Sequence, residues 1–237
     1  MRRAPKTFML LAALAETTTP AAAIVGRARE TTNPSVVMVL GRSAGGAGFC
    51  SGVVLSANAV LTAAHCARSA ADTRVHFKDA SGAPVLLDVT RVERHPGFTS
   101  DAVIKRARSV DLAIVFTRQA LPASFSPASL ASATSSIGAS FTIAGFGVAA
   151  DGAASTGGVL RAAGVALRAP ASNLLLWLAG DGGACTGDSG GPVLDSASAV
   201  VGVIAYAAGT GGKGCGALTQ AVRVAPFLDW IESNLGR

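Results

Sequence analysis

Short apolar segments recur from one end of this chain to the other, and turn residues separate them. Typical segments are "SVVMVL", "VLLDVTRV", "SFTIAGF" and "AVVGVIAY", most of them bounded by Gly, Pro, Ser, Asn or Asp. Segments that alternate apolar and polar residues, or stay apolar for a few positions, are typical of half-buried or buried strands. Short turns between such strands are typical of an antiparallel sandwich or barrel. The sequence therefore predicts an all-β fold.

Two stretches depart from this pattern. Residues 121–140 are rich in Ser, Ala and Pro without a clear period, which indicates a crossing between two halves of the molecule. The C-terminal stretch "VAPFLDWIESNLGR" changes to a helical period: Pro226 suits a first turn, and Ile231 and Leu235 share one face. We expect a short amphipathic α-helix there, packed on the second half.

The N-terminus has the pattern of a signal peptide. A basic start is followed by an apolar run over residues 8–15, too short to span a bilayer, and then by Ala21 and Ala23 as a small-x-small cleavage pattern. Residues 1–23 are therefore predicted to be removed, which leaves Ile24 as the first residue. An earlier cut, before Glu16, would leave a short propeptide.

The charge balance argues against a nucleic-acid partner. The chain has 20 Lys and Arg against 14 Asp and Glu, and without residues 1–23 the counts are 17 and 13. This mild basicity aids solubility, but no basic run is interleaved with aromatic residues. We expect neither a nucleic acid nor a membrane as partner.

Four cysteines in an exported chain predict two disulfides, and the sequence permits three connectivities. Pairing Cys50 with Cys66 and Cys185 with Cys215 closes two compact loops, each worth roughly 3 to 4 kcal/mol in the chain-entropy model. No cysteine pair has the spacing of a zinc site, so no metal is expected.

One histidine and one aspartate stand out as candidate catalytic residues. His65 follows an apolar strand in "LTAAHC", whereas His76 and His95 fit structural or surface positions. Asp111 opens the apolar strand "VDLAIVF", where an unpaired buried charge would be costly. An imidazole N–H is a partner that would give this burial a function; the alternative is an aspartate that points into a loop.

The candidate nucleophile is Ser189, in the stretch "CTGDSGGPV". A serine hydroxyl needs an adjacent base and N–H groups that face the developing oxyanion, and glycines allow the backbone geometry that aims those groups. A plain glycine-rich turn is the alternative for this stretch taken alone. The same letters match the nucleophile elbow of α/β-hydrolases, but that fold places its histidine after the serine, and here the last histidine is His95.

With His65, Asp111 and Ser189 in this order, the chain resembles the trypsin and chymotrypsin family of serine endopeptidases. The resemblance extends from "IVGR" through "LTAAHC", "DLAIV", "GFG" and "GDSGGPV" to "FLDWI". It implies two packed antiparallel β-barrels, over residues 24–125 and 126–237, with the active site between them and the α-helix at the C-terminus.

The resemblance also implies a role for each residue. Ser189 attacks the scissile carbonyl, His65 exchanges the proton, and Asp111 fixes the tautomer of His65. The N–H groups of Gly187 and Ser189 form the oxyanion hole. Asp188 pairs with the new amino group of Ile24, so that export itself would activate the enzyme.

Substrate preference is implied less directly. The base of the primary specificity pocket falls on Gly183, where an aspartate would select Lys or Arg, and Thr219 would narrow the pocket for small or medium aliphatic side chains. Asp181 leaves an alternative open, because a shifted loop could bring its carboxylate into the pocket. The expected pocket residues are Gly183, Ala184, Ala205, Tyr206, Ala207 and Thr219.

The expected protein is thus a secreted, monomeric serine endopeptidase, extracellular or periplasmic, that works without a cofactor. Its expected partners are polypeptide substrates and protein protease inhibitors. Two alternatives remain, an inactive binding protein on the same scaffold and a serine esterase with the same triad.

Overall fold

The computed structural model of the protein describes residues 24–43, 45–105, 107–133, 135–170 and 172–236. The predicted signal peptide, residues 1–23, lies outside these ranges. Fifteen strands dominate this part of the chain, with two α-helices and four short 3-10 turns.

Six strands form a closed antiparallel barrel in the first half. Around the barrel they follow the order β3-β4-β5-β8-β7-β6, and β6 pairs with β3 to close it. Valines that alternate along the strands fill its core, among them Val37, Val39, Val60 and Val115. The strands are β3 (Val36–Ser43), β4 (Gly46–Ser56), β5 (Ala59–Thr62), β6 (Thr73–Lys78), β7 (Pro84–Arg94) and β8 (Ala113–Thr117).

Six strands of the second half close another antiparallel barrel. Their order is β9-β10-β11-β15-β14-β13, and β13 pairs with β9. These strands are β9 (Ser140–Gly145), β10 (Arg161–Leu167), β11 (Leu175–Ala179), β13 (Pro192–Leu194), β14 (Val200–Ala208) and β15 (Leu218–Arg223). With two barrels and a C-terminal helix, the predicted fold class is confirmed.

The first two strands of the chain belong to the second half. Strand β1 (Val25–Gly26) pairs with β12 (Gly182–Gly183), and β2 (Arg29–Glu30) pairs with β10. Residues 24–30 therefore form a strap across the second barrel before the chain enters the first.

One apolar core joins the two barrels. It combines Leu61 and Ile114 of the first with Val203 and Val222 of the second, all fully buried or nearly so. Ile231 of the C-terminal helix enters the same core. Burial of this size fixes the barrels against each other, so residues at the ends of their strands meet along one cleft.

The helices are short. Helix α1 spans Ala102–Lys105, and α2 spans Leu228–Leu235 after a 3-10 turn over Ala225–Phe227. The other 3-10 turns are Ala64–Cys66, Ala154–Thr156 and Thr210–Gly212. No helix within the described ranges is long and apolar enough to cross a membrane.

Candidate active site

His65 and Asp111 meet because their strands pair. His65 lies in the 3-10 turn that follows β5, Asp111 lies just before β8, and Thr62 of β5 pairs with Ala113 of β8. The Nδ1 atom of His65 is 2.6 Å from Oδ2 of Asp111, and the backbone N–H of His65 donates to Oδ1 at 2.9 Å. Because a carboxylate only accepts, Nδ1 carries the proton and Nε2 remains free to accept one.

Ser189 lies near His65, on the other side of the Cys66 sulfur atom. Cys66 Sγ lies 3.5 Å from Nε2 of His65 and 3.9 Å from the carbonyl oxygen of Ser189. The described hydrogen bonds include none between the Ser189 hydroxyl and His65. Such bonds are often long without substrate and tighten when it binds.

Glycines let the nucleophile loop pass close to the first barrel. Gly187 and Gly190 have φ values of 97° and 83°, which disfavour other residues. A side chain on Gly190 would collide with the carbonyl of Ser51 and the hydroxyl of Thr62, and one on Gly187 would collide with the Phe49 ring. The close approach of this loop to the first barrel therefore requires glycine at positions 187 and 190.

Two backbone N–H groups beside Ser189 point to an anion site. Within the described ranges, neither Gly187 N nor Ser189 N donates a hydrogen bond to the protein. The carbonyls of the same residues are held, since Ser51 donates to both: its hydroxyl to Gly187 at 3.0 Å and its N–H to Ser189 at 2.7 Å. The loop thus has two N–H groups that the described part of the protein does not occupy.

The carboxyl group of Asp188 points away from the cleft into the second barrel. It is fully buried and accepts hydrogen bonds from Gly147 N at 2.8 Å and Cys185 N at 2.9 Å. Burial raises the pKa of Asp188 to about 7, against the smaller lowering effect of these bonds and of the Arg161 charge. Ile24 is also fully buried, in the core of the same barrel.

The residues expected to form the specificity pocket lie close together. Thr219 is fully buried, and its hydroxyl accepts a hydrogen bond from Ala184 N at 2.9 Å. Gly183 lies against the backbone of Gly216, so that a side chain there would meet the Gly216 carbonyl. On the neighbouring strand β14, Ala207 pairs with Thr219, and Ala205 and Tyr206 precede it.

Asp181 lies outside this group. Its carboxylate is 4.0 Å from the Arg27 guanidinium, and both side chains are more than 80% exposed, at 81% and 87%. The carboxylate is therefore at the surface, beside the strap.

A large groove opens beside His65 and Asp111. Its volume is about 940 Å³, and it is bounded by residues 98–102 and 107–109 on one side and by strands β11 and β15 on the other. Its apolar lining includes Phe98, Leu175, Trp177, Tyr206 and Val222. On another side of His65 lies a recess of about 190 Å³, lined by Phe49, the Cys50 and Cys66 disulfide, Arg42 and Arg68.

Comparison with known proteins identifies the family. The Trypsin family model matches residues 24–231, which is most of the chain. The chain belongs to the trypsin family. It is accordingly a serine endopeptidase of the trypsin-like class, as the sequence predicts, and polypeptides are its substrates.

Three solved structures with the same fold have low sequence identity to this trypsin-family chain. Neuropsin, a serine protease expressed in the limbic system of mouse brain, is 20% identical with a TM-score of 0.73 over 90% of this chain and 100% of its own. GrC gives 20% identity and a TM-score of 0.73 at the same coverage. Human heparin binding protein gives 21% identity and a TM-score of 0.69, over 90% of this chain and 97% of its own. A search of curated proteins found no match.

Both disulfides predicted for this trypsin-family protein are formed, Cys50 with Cys66 and Cys185 with Cys215. The two groups of metal-type side chains in the described ranges each contain both cysteines of one disulfide. Oxidised sulfurs are not thiolate ligands, so neither group is a candidate metal site.

The other two histidines of the protease take structural positions. Nδ1 of His76 donates to the carbonyl of Val85 at 2.8 Å. His95 contacts the rings of Phe227 and Trp230 edge-on, with centroids 4.9 and 5.0 Å away, so it joins the first barrel to the C-terminal segment.

Some residues of the site could not be found from the sequence. Ser51, Arg161 and Trp177 matched no motif, because their importance comes from neighbours far away in the chain. A weak signal existed for Ser51, a polar residue next to Cys50 in the apolar run "FCSGVVL".

Proposed function

We propose that this protein is a secreted endopeptidase that cleaves polypeptides through an acyl-enzyme on Ser189. The observation that carries the proposal is the hydrogen bond from His65 Nδ1 to Asp111, which leaves Nε2 able to accept a proton beside the glycine-rich loop of Ser189. Among the residues that the structure describes, the N–H groups of Gly187 and Ser189 in that loop have no protein partner.

In the proposed reaction His65 Nε2 takes the proton of the Ser189 hydroxyl as Ser189 Oγ bonds to the scissile carbonyl carbon. The carbonyl oxygen becomes an oxyanion held by the two free N–H groups. His65 then gives the proton to the departing amine as the C–N bond breaks. Water attacks the resulting ester by the same route, which returns the proton to Ser189 and releases the acid. Asp111 holds the imidazole orientation through both steps.

A serine-directed phosphonylating reagent tests this assignment. Intact mass should show one adduct on the wild-type secreted protein and none on Ser189→Ala. An unmodified wild-type protein with Ile24 as its first residue would mean that the triad is not assembled, and the inactive binding protein would replace the proposal. Hydrolysis rates on ester and amide versions of one peptide then separate an esterase from a peptidase.

We propose a preference for small or medium aliphatic side chains before the scissile bond. Thr219 is buried and its hydroxyl accepts a hydrogen bond from Ala184 N, next to the expected pocket base at Gly183, and this supports a narrow pocket. The surface position of Asp181 beside Arg27 speaks against a basic preference, since it leaves no carboxylate among the described pocket residues. A peptide series with Ala, Val, Phe, Lys and Arg at that position tests the order.

The apolar groove supports a second selective contact. Trp177 and Tyr206 line it next to His65, and aromatic surface of this kind gains free energy by covering apolar side chains. Residues earlier in the substrate should therefore raise kcat/KM when they are apolar. Equal rates for acetyl-Ala and for acetyl-Leu-Leu-Ala substrates would contradict this contact.

We propose that removal of the signal peptide also activates the enzyme. Ile24 is buried in the barrel that holds the Asp188 carboxyl, where a free amino group would supply a cationic partner. N-terminal sequencing of the secreted protein should read Ile-Val-Gly-Arg. A start at Glu16 would instead reveal a propeptide and a separate activation step.

A further inference from the structure

Ser51 is a fully buried polar residue of β4 that contacts the nucleophile loop from the opposite barrel. Its hydroxyl oxygen accepts a hydrogen bond from Phe146 N at 2.9 Å. Its own proton then goes to the carbonyl of Gly187 at 3.0 Å. Because Phe146 N can only donate, it fixes the hydroxyl with the proton towards Gly187.

The backbone of Ser51 is held as firmly. Ser51 N donates to the Ser189 carbonyl at 2.7 Å, and the Ser51 carbonyl accepts from the Thr62 hydroxyl at 2.8 Å. Ser51, a residue of the first barrel, therefore donates hydrogen bonds to the carbonyls of Gly187 and Ser189, the two residues that flank Asp188.

The Gly187 carbonyl matters because glycine rotates more freely than any other residue. Gly187 sits at a φ of 97°, and the direction of its N–H relative to Ser189 depends on the peptide units around it. The following peptide is held at both ends, by the Ser51 hydroxyl on the Gly187 oxygen and by a bond from Asp188 N to the Cys185 carbonyl at 3.1 Å. Without the Ser51 hydroxyl, the Gly187 carbonyl oxygen would lose the side-chain hydrogen bond that holds it.

We propose that Ser51 is a positioning residue that keeps the Gly187 N–H aimed at the oxyanion. The proposal rests on the proposed roles of Gly187 and Ser189. Ser51 is not a catalytic residue, since its hydroxyl faces the back of the loop and does not touch the reacting atoms. Its contribution is to hold the donor in place before the charge develops.

The test compares Ser51→Ala with two controls. Ser51→Thr keeps the hydroxyl. Thr117→Val removes a hydroxyl that is equally buried in the first barrel but donates to the Gln119 carbonyl at 2.7 Å, away from the loop. Active sites are counted in each variant with the phosphonylating reagent, so that misfolded protein does not enter the turnover number.

In Ser51→Ala we expect kcat per titrated site to fall by about 10- to 100-fold, somewhat less than the loss of a direct oxyanion donor causes. KM should change by less than about 3-fold, because substrate and transition state differ in the oxyanion. A peptide aldehyde, whose adduct carries that oxygen, should bind more weakly by the same factor as kcat/KM. A product peptide should bind unchanged. Ser51→Thr should restore most of the turnover, and Thr117→Val should not change it.

A normal kcat per titrated site in Ser51→Ala would overturn the proposal, as would equal losses for the aldehyde and the product peptide. If the alanine variant does not fold, Ser51→Cys repeats the test with a thiol, which is a much weaker donor. Failure of the proposed function looks different, since the wild-type protein itself would then form no adduct.

Discussion

At the scale of single residues, the geometry of the site depends on groups that can only accept or only donate a hydrogen bond. Asp111 accepts from both the ring and the backbone of His65, so the imidazole can neither turn nor change its tautomer without losing a bond. The Ser51 hydroxyl is fixed in the same manner by Phe146 N. In both cases, a group that can only accept or only donate a hydrogen bond fixes the orientation of a neighbouring group that can do both.

Replacing Asp111 by Asn should do more damage than the loss of one oxyanion donor. The amide would donate to Nδ1 and so place the proton of His65 on Nε2, facing Ser189. Turnover should fall by about 10⁴-fold, the size known for this change within the trypsin family itself, whereas loss of one oxyanion donor costs roughly 10²- to 10³-fold. Steady-state kinetics with circular dichroism as a folding control checks this. Turnover close to normal would remove Asp111 from the triad.

Replacing Thr219 by Gly should move the substrate preference towards larger side chains. The change removes three heavy atoms from the expected pocket wall, and a difference of one methylene in an apolar pocket is worth about 10- to 200-fold in kcat/KM. The ratio of kcat/KM for Phe and Ala substrates should rise by at least about 10-fold. Thr219→Ser keeps the hydroxyl that Ala184 N needs, and its ratio should fall between the two. An unchanged ratio in both variants would place the selective contact elsewhere.

At the scale of elements, the strands with a clear period were predictable and the shortest ones were not. The segment "VLLDVTRV" lies within β7, and "SFTIAGF" covers β9 and extends one residue beyond it. Strands β1 and β2 have two residues each, too few to show a period, and they form because the second barrel offers edges to pair with. The C-terminal helix was predicted from its period; it ends at Leu235 and is followed by Gly236, which adopts the left-handed conformation expected there.

The packing of His95 on the C-terminal segment makes stability depend on pH. Burial lowers the pKa of His95 below its ordinary 6.5, so the unfolded chain binds a proton more readily than the folded one. This part of the stability is complete above the ordinary pKa and is lost as the pH falls below it. His95→Phe keeps an aromatic ring without a charge. Between pH 7.5 and 5.5, the free energy of unfolding in guanidinium should therefore fall more for the wild-type protein than for the variant. Parallel curves would show that the contact does not sense the proton.

At the scale of the whole molecule, the site exists only where the two barrels meet. His65 and Asp111 come from the first barrel, the serine loop comes from the second, and Ser51 bonds one to the other. Motifs alone single out His65, Asp111 and Ser189 as candidates, because the chemistry needs those residue types and this fold family places them in this chain order. Ser51 and Trp177 depend on which strand ends face each other across the molecule. That information belongs to the packing of the barrels, and no local pattern carries it.

The buried carboxyl of Asp188 should make an N-terminally extended form less stable at neutral pH than the form that begins at Ile24. In the extended form the pKa of Asp188 is raised to about 7, so the folded state holds a proton that the unfolded state releases near pH 4. Stability is then lost as the pH rises from about 4 to about 7, at up to about 1.4 kcal/mol per pH unit.

A free amino group on Ile24 would lower this pKa and remove the loss. The difference in unfolding free energy between the two forms should therefore widen from pH 5 to pH 7, as measured by denaturant titration. Asp188→Asn in both forms should abolish the widening. A constant difference between the two forms would mean that the amino group does not reach the carboxyl.

The strap of residues 24–30 also sets the order in which the molecule is completed during synthesis. Its residues are made before either barrel, yet Val25 pairs with Gly183 and Arg29 with Ala162, which are made much later. Contacts between such distant parts of a chain form late, because the intervening loop must close first. The segment that receives Val25 leads directly into the loop of Gly187 and Ser189. We therefore expect a growing chain to carry His65 and Asp111 long before its serine loop is made, and to stay inactive until the second barrel has closed on residues 24–30.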